Sequence, residues 1–269
     1  YSNKVYLGGG GLSGGNHLFH LTAGNSSISY TEEPYSFNST VSAIGYSSLE
    51  PSHRYVLTYY GSFYHSSDDG NSWQLSLAFD GPDAHYFYGS TIWPSTSTPG
   101  MVIIGGSGYS NPPVYISYDH GNTFTPLNEG FPNTLVFELA GTPDDEYFFA
   151  ATEVGPYVYI AEDEIWTDLS GISAPDQTYW SVEYIPELNT ARFGTYGRGI
   201  WDFIIQNENI ILGDINLDGT VNIQDILLLV SFILGTNSAN NQQFESSDNN
   251  QDGILDILDI ISTINIILN

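Results

Sequence analysis

Two twelve-residue segments, 214–225 and 248–259, repeat one pattern of oxygen-bearing side chains. Each has Asp or Asn at positions 1, 3, 5, 9 and 12, and glycine at position 6, where a sharp turn is needed. Carboxylate, amide and backbone carbonyl oxygens are the ligands that Ca²⁺ prefers. Without a cation the clustered carboxylates would repel one another. We therefore predict two Ca²⁺ ions, ligated by Asp214, Asn216, Asp218, the Thr220 carbonyl, Asn222 and Asp225, and by Asp248, Asn250, Asp252, the Ile254 carbonyl, Asp256 and Asp259.

The two loops follow the EF-hand pattern with two departures. Position 12 is Asp instead of Glu, and a helix is predicted only after each loop, over 223–234 and 257–267. With these departures the segment resembles the type I dockerin family throughout. The resemblance implies a small, all-α, calcium-dependent module that docks on a cohesin partner.

Loop positions 10 and 11 differ from the dockerins of cellulosomes, where a Ser/Thr pair helps to dock cohesin. Here these positions hold Ile223-Gln224 and Ile257-Leu258, which are largely apolar. Two interpretations stay open. The apolar helices dock a cohesin-like partner that is not a typical cohesin, or they pack on the rest of their own chain.

The charge balance of the 269 residues excludes two classes of partner. Four basic residues face 31 acidic ones, for a formal net charge of -27. Nucleic acids and anionic membrane surfaces both require clustered cations, which this sequence lacks. No run reaches the roughly 20 apolar residues of a membrane span. There is no cysteine, so disulfides give no indication of the redox compartment.

The first 205 residues contain an internal repeat. An aliphatic-or-Phe/aromatic pair recurs five times, with spacings of 45, 51, 44 and 42 residues between the aromatic positions. The pairs are Leu18-Phe19, Phe63-Tyr64, Val114-Tyr115, Val158-Tyr159 and Ile200-Trp201. Around them lie short β-rich runs, for example 134–141, 146–151, 157–161 and 165–169. Four short strands per repeat of this length are typical of a β-propeller blade, whereas an all-β sandwich does not explain five copies at one period.

Two turns, 66–73 and 117–124, share the pattern S-x-D-x-G-x-[ST]-[WF]. The Asp can accept hydrogen bonds from backbone N–H groups of the turn, and the Gly can take a positive φ. The turns resemble the Asp-box, or bacterial neuraminidase repeat, of sialidases, xyloglucanases and sortilin-type propellers. Segment 193–201 is similar to the closing-blade motif of that group. The resemblance implies fold more than activity, because Asp-boxes lie on the blade rim and hold hairpins together.

The strand count predicts an incomplete propeller of about four to five blades. The first repeat lacks its innermost strand and the last lacks its outermost strand. We expect the missing strands to come from an upstream segment or from another protein chain; a compact five-bladed ring is the alternative. Because the sequence starts at Tyr1 instead of Met, we expect targeting segments to lie outside it. The predicted organisation is a propeller region at 1–205, a linker at 206–211 and the calcium module at 212–269.

No catalytic residue can be selected from the sequence. A sialidase site needs three arginines that grip a carboxylate, and the chain has only three in all. A xyloglucanase-type site needs two carboxylates across the scissile bond, and the available residues are Asp144, Asp145, Glu153, Glu183 and Glu187. The six histidines show no metal-ligand spacing, and His20 and His65 occupy similar phases of two repeats, which favours a packing role.

The predicted function is therefore that of a secreted or cell-surface, bacterial, calcium-binding protein of binding or structural type. The blades form its interaction surface, and the Gly- and aromatic-rich segment 105–111 is a candidate contact for a glycan ligand. The alternative is a xyloglucanase- or sialidase-like glycoside hydrolase whose active site is completed by further blades. The chain alone is not expected to be an enzyme.

Overall fold

The structure is a computed structural model that describes residues 4–9, 15–23, 26–76, 89–106, 112–171, 174–205 and 211–268. The chain divides into two compact units. The first comprises Tyr1–Pro186 and Thr190–Phe203, and the second comprises Glu187–Asn189 and Ile204–Asn269. Most of the predicted linker, 206–210, lies outside the described residues.

Five antiparallel sheets make up the described part of the first unit, and we call them blades 1 to 5 in chain order. Blade 1 contains β1 (Lys4–Gly8), β2 (Leu18–Ala23) and β3 (Ile28–Glu32); blade 2 contains β4 (Val41–Tyr46), β5 (Arg54–Thr58), β6 (Phe63–Ser66) and β7 (Gln74–Leu75); blade 3 contains β8 (Gly89–Pro94), β9 (Val102–Gly106), β10 (Val114–Ser117) and β11 (Thr125–Pro126); blade 4 contains β12 (Val136–Gly141), β13 (Tyr147–Thr152), β14 (Pro156–Ile160) and β15 (Ile165–Asp168); blade 5 contains β16 (Tyr179–Ile185), β17 (Thr190–Thr195) and β18 (Ile200–Ile204).

Within each blade the strands follow one another as a meander, so sequence order is also spatial order. The first strands of neighbouring blades pack together, with β4 against β8, β8 against β12, and β12 against β16. This radial repetition is the arrangement of propeller blades. The predicted mainly-β propeller fold is therefore confirmed.

The repeated aromatic pairs have equivalent places in the blades. Phe63-Tyr64, Val114-Tyr115 and Val158-Tyr159 lie on β6, β10 and β14, the third strands of blades 2 to 4. These residues are buried, because third strands are covered on both faces. In blades 1 and 5 the equivalent pairs lie on β2 and β18. The described parts of those two sheets have three strands each, as the sequence predicted.

Turns 66–73 and 117–124, which we call the aspartate turns, have the same hydrogen bonds. Asp68 accepts from the Ser72 backbone N–H (2.8 Å) and hydroxyl (2.6 Å), and Asp119 accepts the same two bonds from Thr123 at 2.9 and 2.7 Å. The serine that opens each turn binds the backbone N–H of its glycine, at 2.9 and 2.8 Å. A four-residue spacing thus closes each turn on itself, which explains why two copies of the pattern fold alike.

The second unit contains α1 (Ile223–Ile233), α2 (Asn241–Ser247) and α3 (Ile257–Leu268). Helices α1 and α3 match the two predicted helices to within one residue at each end and pack against each other. Helix α2 was not predicted. Its start is a capping box in which the Asn240 and Gln243 side chains each bond the other's backbone N–H. None of the helices in the described residues is long and apolar enough to cross a membrane.

Candidate functional site: the paired oxygen-rich loops

The first loop is organised around the carboxylate of Asp225, which is fully buried. Its Oδ1 accepts the backbone N–H groups of Ile215 (2.8 Å) and Asn216 (2.9 Å), and its Oδ2 accepts that of Asn222 (2.8 Å). Asp225 therefore holds the beginning of the loop next to the first turn of α1.

Asp214, which is 4% exposed, shapes the other half of the loop. It accepts the backbone N–H groups of Asp218 (3.1 Å) and Gly219 (2.8 Å). Gly219 has a φ of 84°, in the region that glycine occupies without strain. Position 6 of the loop is therefore glycine because the chain must turn back over Asp214 at this point.

The second loop repeats these bonds except one, because the Asn249 N–H bonds the Ser247 carbonyl where the equivalent Ile215 N–H bonds Asp225. Asp248 accepts the N–H groups of Asp252 (3.1 Å) and Gly253 (2.8 Å). Asp259, fully buried like Asp225, accepts those of Asn250 (3.4 Å) and Asp256 (2.9 Å). Two loops separated by α1 and α2 thus reach nearly the same geometry, as their shared sequence pattern predicts.

The remaining predicted ligands lie on the exposed rim of each loop or at the start of a helix. Hydrogen bonds lower the pKa of Asp218; the largest effect comes from the Thr220 hydroxyl and the next from the Asn216 amide. Asn222 caps α1 by accepting the Gln224 N–H (2.8 Å), and Asp256 caps α3 by accepting that of Leu258 (2.7 Å). All these side chains keep oxygen lone pairs that are free for a cation.

The donor set and its charge fit Ca²⁺. Every side-chain ligand is a carboxylate or amide oxygen, and the buried carboxylates are held only by N–H groups. The sequence beyond residue 198 contains no Lys or Arg that could neutralise them. Buried carboxylates without a cation are costly, and a divalent ion with oxygen ligands compensates such a charge directly. Asp214, Asn216, Asp218, Asn222 and Asp225, with the Thr220 carbonyl, would hold one ion, and the equivalent residues of 248–259 a second.

The family model of the type I dockerin domain matches residues 212–268, a range that contains both loops and all three helices. Residues 212–268 are a type I dockerin domain. Type I dockerin domains bind calcium and dock on cohesin partners, so the assignment agrees with the oxygen ligands of both loops. No curated protein sequence matches this chain.

Solved structures with a similar fold contain β-propellers. A GH74 xyloglucanase from Xanthomonas campestris aligns with a TM-score of 0.58 and 11% identity, over 77% of this chain and 35% of that one. The extracellular domain of a one-component system from B. thetaiotaomicron aligns with a TM-score of 0.54 and 18% identity, over 74% and 26%. YCF48 bound to a D1 peptide aligns with a TM-score of 0.52 and 17% identity, over 78% and 63%. At these identities the likeness shows the fold alone. The chain covers only about a third of the xyloglucanase.

Four of the five carboxylates considered for hydrolysis lie where they stabilise turns or face solvent. Asp144 accepts bonds inside the turn between β12 and β13. Asp145 accepts the hydroxyls of Ser95, Ser97 and Thr98, which joins the turns of blades 3 and 4. The backbone of Glu153 bonds Leu135 and Thr178, and Glu187 lies on an exposed 3-10 turn. The geometry gives these four no shared site.

Glu183 is the exception, because it lines a cavity of about 400 Å³ together with Glu138. The two residues belong to β16 and β12, the first strands of adjacent blades. Burial raises the pKa of Glu138, a hydrogen bond from the Val182 N–H opposes the shift, and the charge of Glu183 adds to it. Glu138 was not predicted as a site residue. The available signal was a lone acidic residue within the apolar strand Val136–Gly141.

The arginines do not form the cluster of a sialidase. Arg54 pairs with Asp69, and Arg192 binds both oxygens of Asp202 at 2.7 Å. The backbone of Arg198 lies in the turn between β17 and β18, where its N–H bonds Thr195 and its carbonyl accepts from Trp201. The predicted glycan-contact segment, 105–111, lies outside the described residues from 107 onward.

Proposed function

We propose that this chain is an extracellular or cell-surface, bacterial, calcium-binding protein that docks on a partner through its dockerin domain. In this proposal two Ca²⁺ ions order the dockerin loops, and the propeller blades present the interaction surface, with a glycan as a candidate ligand. The aspartate turns act as Asp-boxes that hold the outer hairpins of blades 2 and 3. The dockerin family match supports the proposal.

One observation carries the docking proposal: α1 and α3 expose equivalent apolar residues. Ile223 and Leu227 on α1 are 68% and 66% exposed, and Ile257 and Ile261 on α3 are 66% and 49% exposed. In each helix the two residues are four apart, so they lie on one face. We call these four residues the docking stripes. Large apolar side chains exposed in pairs are typical of protein-binding surfaces.

The docking stripes are also tied to calcium by their position. Ile223 and Ile257 occupy position 10 of the loops, two residues before the buried Asp225 and Asp259. Since those carboxylates fix the loops against α1 and α3, loss of the ions would disturb the helix starts that carry the stripes. Docking is therefore expected to require Ca²⁺.

The test measures binding of the full chain to a panel of purified type I cohesin domains with Ca²⁺ and with chelator. We expect binding only with Ca²⁺, weakened at least about tenfold, or ~1.4 kcal/mol, by Ile223→Glu combined with Ile257→Glu. The matched control is Ile28→Glu on β3, where Ile28 is 71% exposed. It should leave binding unchanged. Absence of Ca²⁺-dependent binding to any cohesin would contradict the proposal. A loss of propeller stability in the double variant would instead support packing of the helices on their own chain.

A second proposal concerns the outer edge of blade 5. In the described residues β18 pairs only with β17, and Ile200 and Ile204 on it are 70% and 67% exposed. An open strand edge can pair with another strand. We propose that a strand from another segment or chain completes this blade. Protection from hydrogen exchange of the β18 amides that point away from β17, measured in the full-length protein, would support it, and rapid exchange of those amides would contradict it.

The alternative function, glycoside hydrolysis, is favoured by Glu138 and Glu183. A carboxyl group with a raised pKa beside an exposed carboxylate is the arrangement of a general acid and its partner. The test is hydrolysis of xyloglucan by the full-length protein, with Glu138→Gln, Glu183→Gln and the control Glu187→Gln. Activity that both site variants abolish and the control keeps would establish this function, whereas an inactive wild type would exclude it for xyloglucan.

A further inference from the structure

A cluster unrelated to the dockerin loops lies between blades 2 and 3. Glu50 and His53 belong to the turn between β4 and β5, which the His53 N–H closes by bonding the Glu50 carbonyl at 2.8 Å. His120 belongs to the aspartate turn after β10. One potential ligand atom from each of the three side chains lies within 4.8 Å of the other two. In the part of the chain that the structure describes, no other group of three His, Asp or Glu side chains has its potential ligand atoms this close together.

Two polar atoms of this partly exposed cluster are shielded from solvent and have no hydrogen bond in the described part of the chain. Glu50 Oε2 and His53 Nδ1 are shielded from solvent and make no hydrogen bond within the described residues. Glu50 Oε2 lies 3.3 Å from His120 Nε2, but the contact lacks the geometry of a hydrogen bond. Burying such atoms unpaired costs roughly 1–3 kcal/mol each. Their closeness to one another therefore indicates a ligand that satisfies them together.

The orientation of His120 leaves one ring nitrogen for such a ligand. Its Nδ1 lies 3.0 Å from the hydroxyl of Tyr55, a residue that is 1% exposed. When Nδ1–H donates to the Tyr55 oxygen, the lone pair of Nε2 points toward Glu50. A histidine that ligates a metal is commonly held in this way through its other nitrogen.

We propose that Glu50, His53 and His120 bind one transition-metal cation of the Zn²⁺ type. Two imidazoles and one carboxylate are a common zinc donor set, and they leave a fourth position for water. Ca²⁺ is excluded as the preferred ion because nitrogen ligands are unsuited to it. The His53 and His120 rings stack at 3.8 Å with their planes 21° apart. Binding must tilt them further, because parallel rings direct their lone pairs side by side and not to one point.

The site would connect two blades. Glu50 and His53 come from blade 2 and His120 from blade 3, so a bound ion would link two turns that are distant in the sequence. In blade 2 the position equivalent to His120 is Asp69, which pairs with Arg54 of its own blade. The histidine is therefore particular to the turn of blade 3, and it gives that turn a function beyond closing its hairpin.

The test is calorimetric titration of Zn²⁺ into the full chain with the dockerin loops saturated by excess Ca²⁺. We expect one Zn²⁺ per chain, weakened at least about tenfold by His120→Asn or His53→Gln. Asn suits the φ of 60° at position 120, so the first variant keeps the turn. Glu50→Gln is a third variant that retains the shape of the side chain. Tyr55→Phe should weaken binding by a smaller factor, because Tyr55 only orients His120.

The matched control is His17→Gln combined with His20→Gln, which removes two histidines near β2 and should leave Zn²⁺ affinity unchanged. Visible absorption of Co²⁺ in place of Zn²⁺ gives an independent readout, because a four-coordinate Co²⁺ ion absorbs much more strongly than the hydrated ion. The proposal is overturned if the Ca²⁺-saturated chain takes up no stoichiometric Zn²⁺, or if folded His120→Asn, His53→Gln and Glu50→Gln variants all bind it as the wild type does.

Discussion

Gly121 of blade 3 lies so close to Phe63 of blade 2 that a Cβ atom at Gly121 would be 2.0 Å from Phe63 Cε1. Phe63 is fully buried, so its ring cannot move away without disturbing the packing between the blades. Gly121 also has a φ of 83°. The glycine of this aspartate turn thus serves two purposes: it permits the left-handed backbone and it lets a neighbouring blade approach.

We predict that Gly121→Ala destabilises the propeller more than Gly70→Ala. Gly70 has the same turn position and a φ of 88°, but its nearest neighbour would lie 3.6 Å from an added Cβ. The backbone penalty of about 1 kcal/mol is shared by both variants. Overpacking against Phe63 adds about 2 kcal/mol for Gly121→Ala alone. Denaturant unfolding of both variants measures the difference, and equal losses would show that the contact between blades is unimportant.

The aspartate turns should make stability depend on acid pH. Hydrogen bonds from Ser72, first from its hydroxyl and then from its backbone, lower the pKa of Asp68 to about 2. In the unfolded chain an Asp has a pKa of about 3.9. Because the folded pKa is the lower one, this stabilisation is present above about pH 4 and is lost as pH falls toward 2.

The corresponding experiment compares wild type with Asp68→Asn between pH 6 and pH 2. The wild type should have the larger free energy of unfolding at pH 6. The difference between wild type and variant should shrink as pH falls through the range in which Asp68 titrates. Burial acts against ionisation of Asp119, but hydrogen bonds from Thr123 outweigh it and lower the pKa, so Asp119→Asn should behave alike. A difference in the free energy of unfolding that stays constant with pH would contradict this account.

Glu138→Gln should raise the thermal stability of the propeller at pH 7. Burial and the nearby Glu183 raise the pKa of Glu138, so its ionised form is disfavoured in the folded chain. The penalty exists above the folded pKa and disappears below the unfolded pKa of about 4.3. Gln can still accept the Val182 N–H that Glu138 accepts at 3.1 Å. Melting temperatures at pH 7 and pH 4 check this, and a variant that melts lower at pH 7 would refute it.

Calcium stoichiometry should respond to single-loop variants. Asp218 and Asp252 occupy position 5 of the two loops, and their backbone N–H groups bond Asp214 and Asp248 whatever the side chain at position 5. We predict that each substitution weakens one of two Ca²⁺ sites at least about tenfold and spares the other. Asp163→Asn, on an exposed turn of the propeller, is the control. If the wild type binds only one Ca²⁺ ion, or if neither variant weakens a Ca²⁺ site, the assignment of two ions is wrong.

The parts of the fold that were predicted from sequence are those that local spacing determines. In the calcium loops, Asp214 and Asp225 bond backbone groups at most ten residues away, so the pattern of side chains specifies the geometry. The aspartate turns close over four residues. For this reason the loops, the turns, helices α1 and α3, and the four strands of blade 4 were predictable.

The features missed depend on contacts between distant segments. Glu138 and Glu183 meet because the first strands of blades 4 and 5 pack together, which no local pattern reveals. The cluster of Glu50, His53 and His120 depends in the same way on the packing of two blades. Its local signal was only the Glu-x-x-His spacing of one turn, which commonly occurs without a metal.

Calorimetric unfolding of the full chain with Ca²⁺ and with chelator tests the central claim, that the chain contains a propeller and a calcium-dependent dockerin domain. The buried carboxylates of Asp214, Asp225 and Asp259 have no Lys or Arg in their own unit to neutralise them, so the dockerin transition should depend on the ion. We predict two transitions with Ca²⁺; chelation should abolish the dockerin transition or shift it to lower temperature, and largely spare the other. Identical transitions under both conditions would contradict the account.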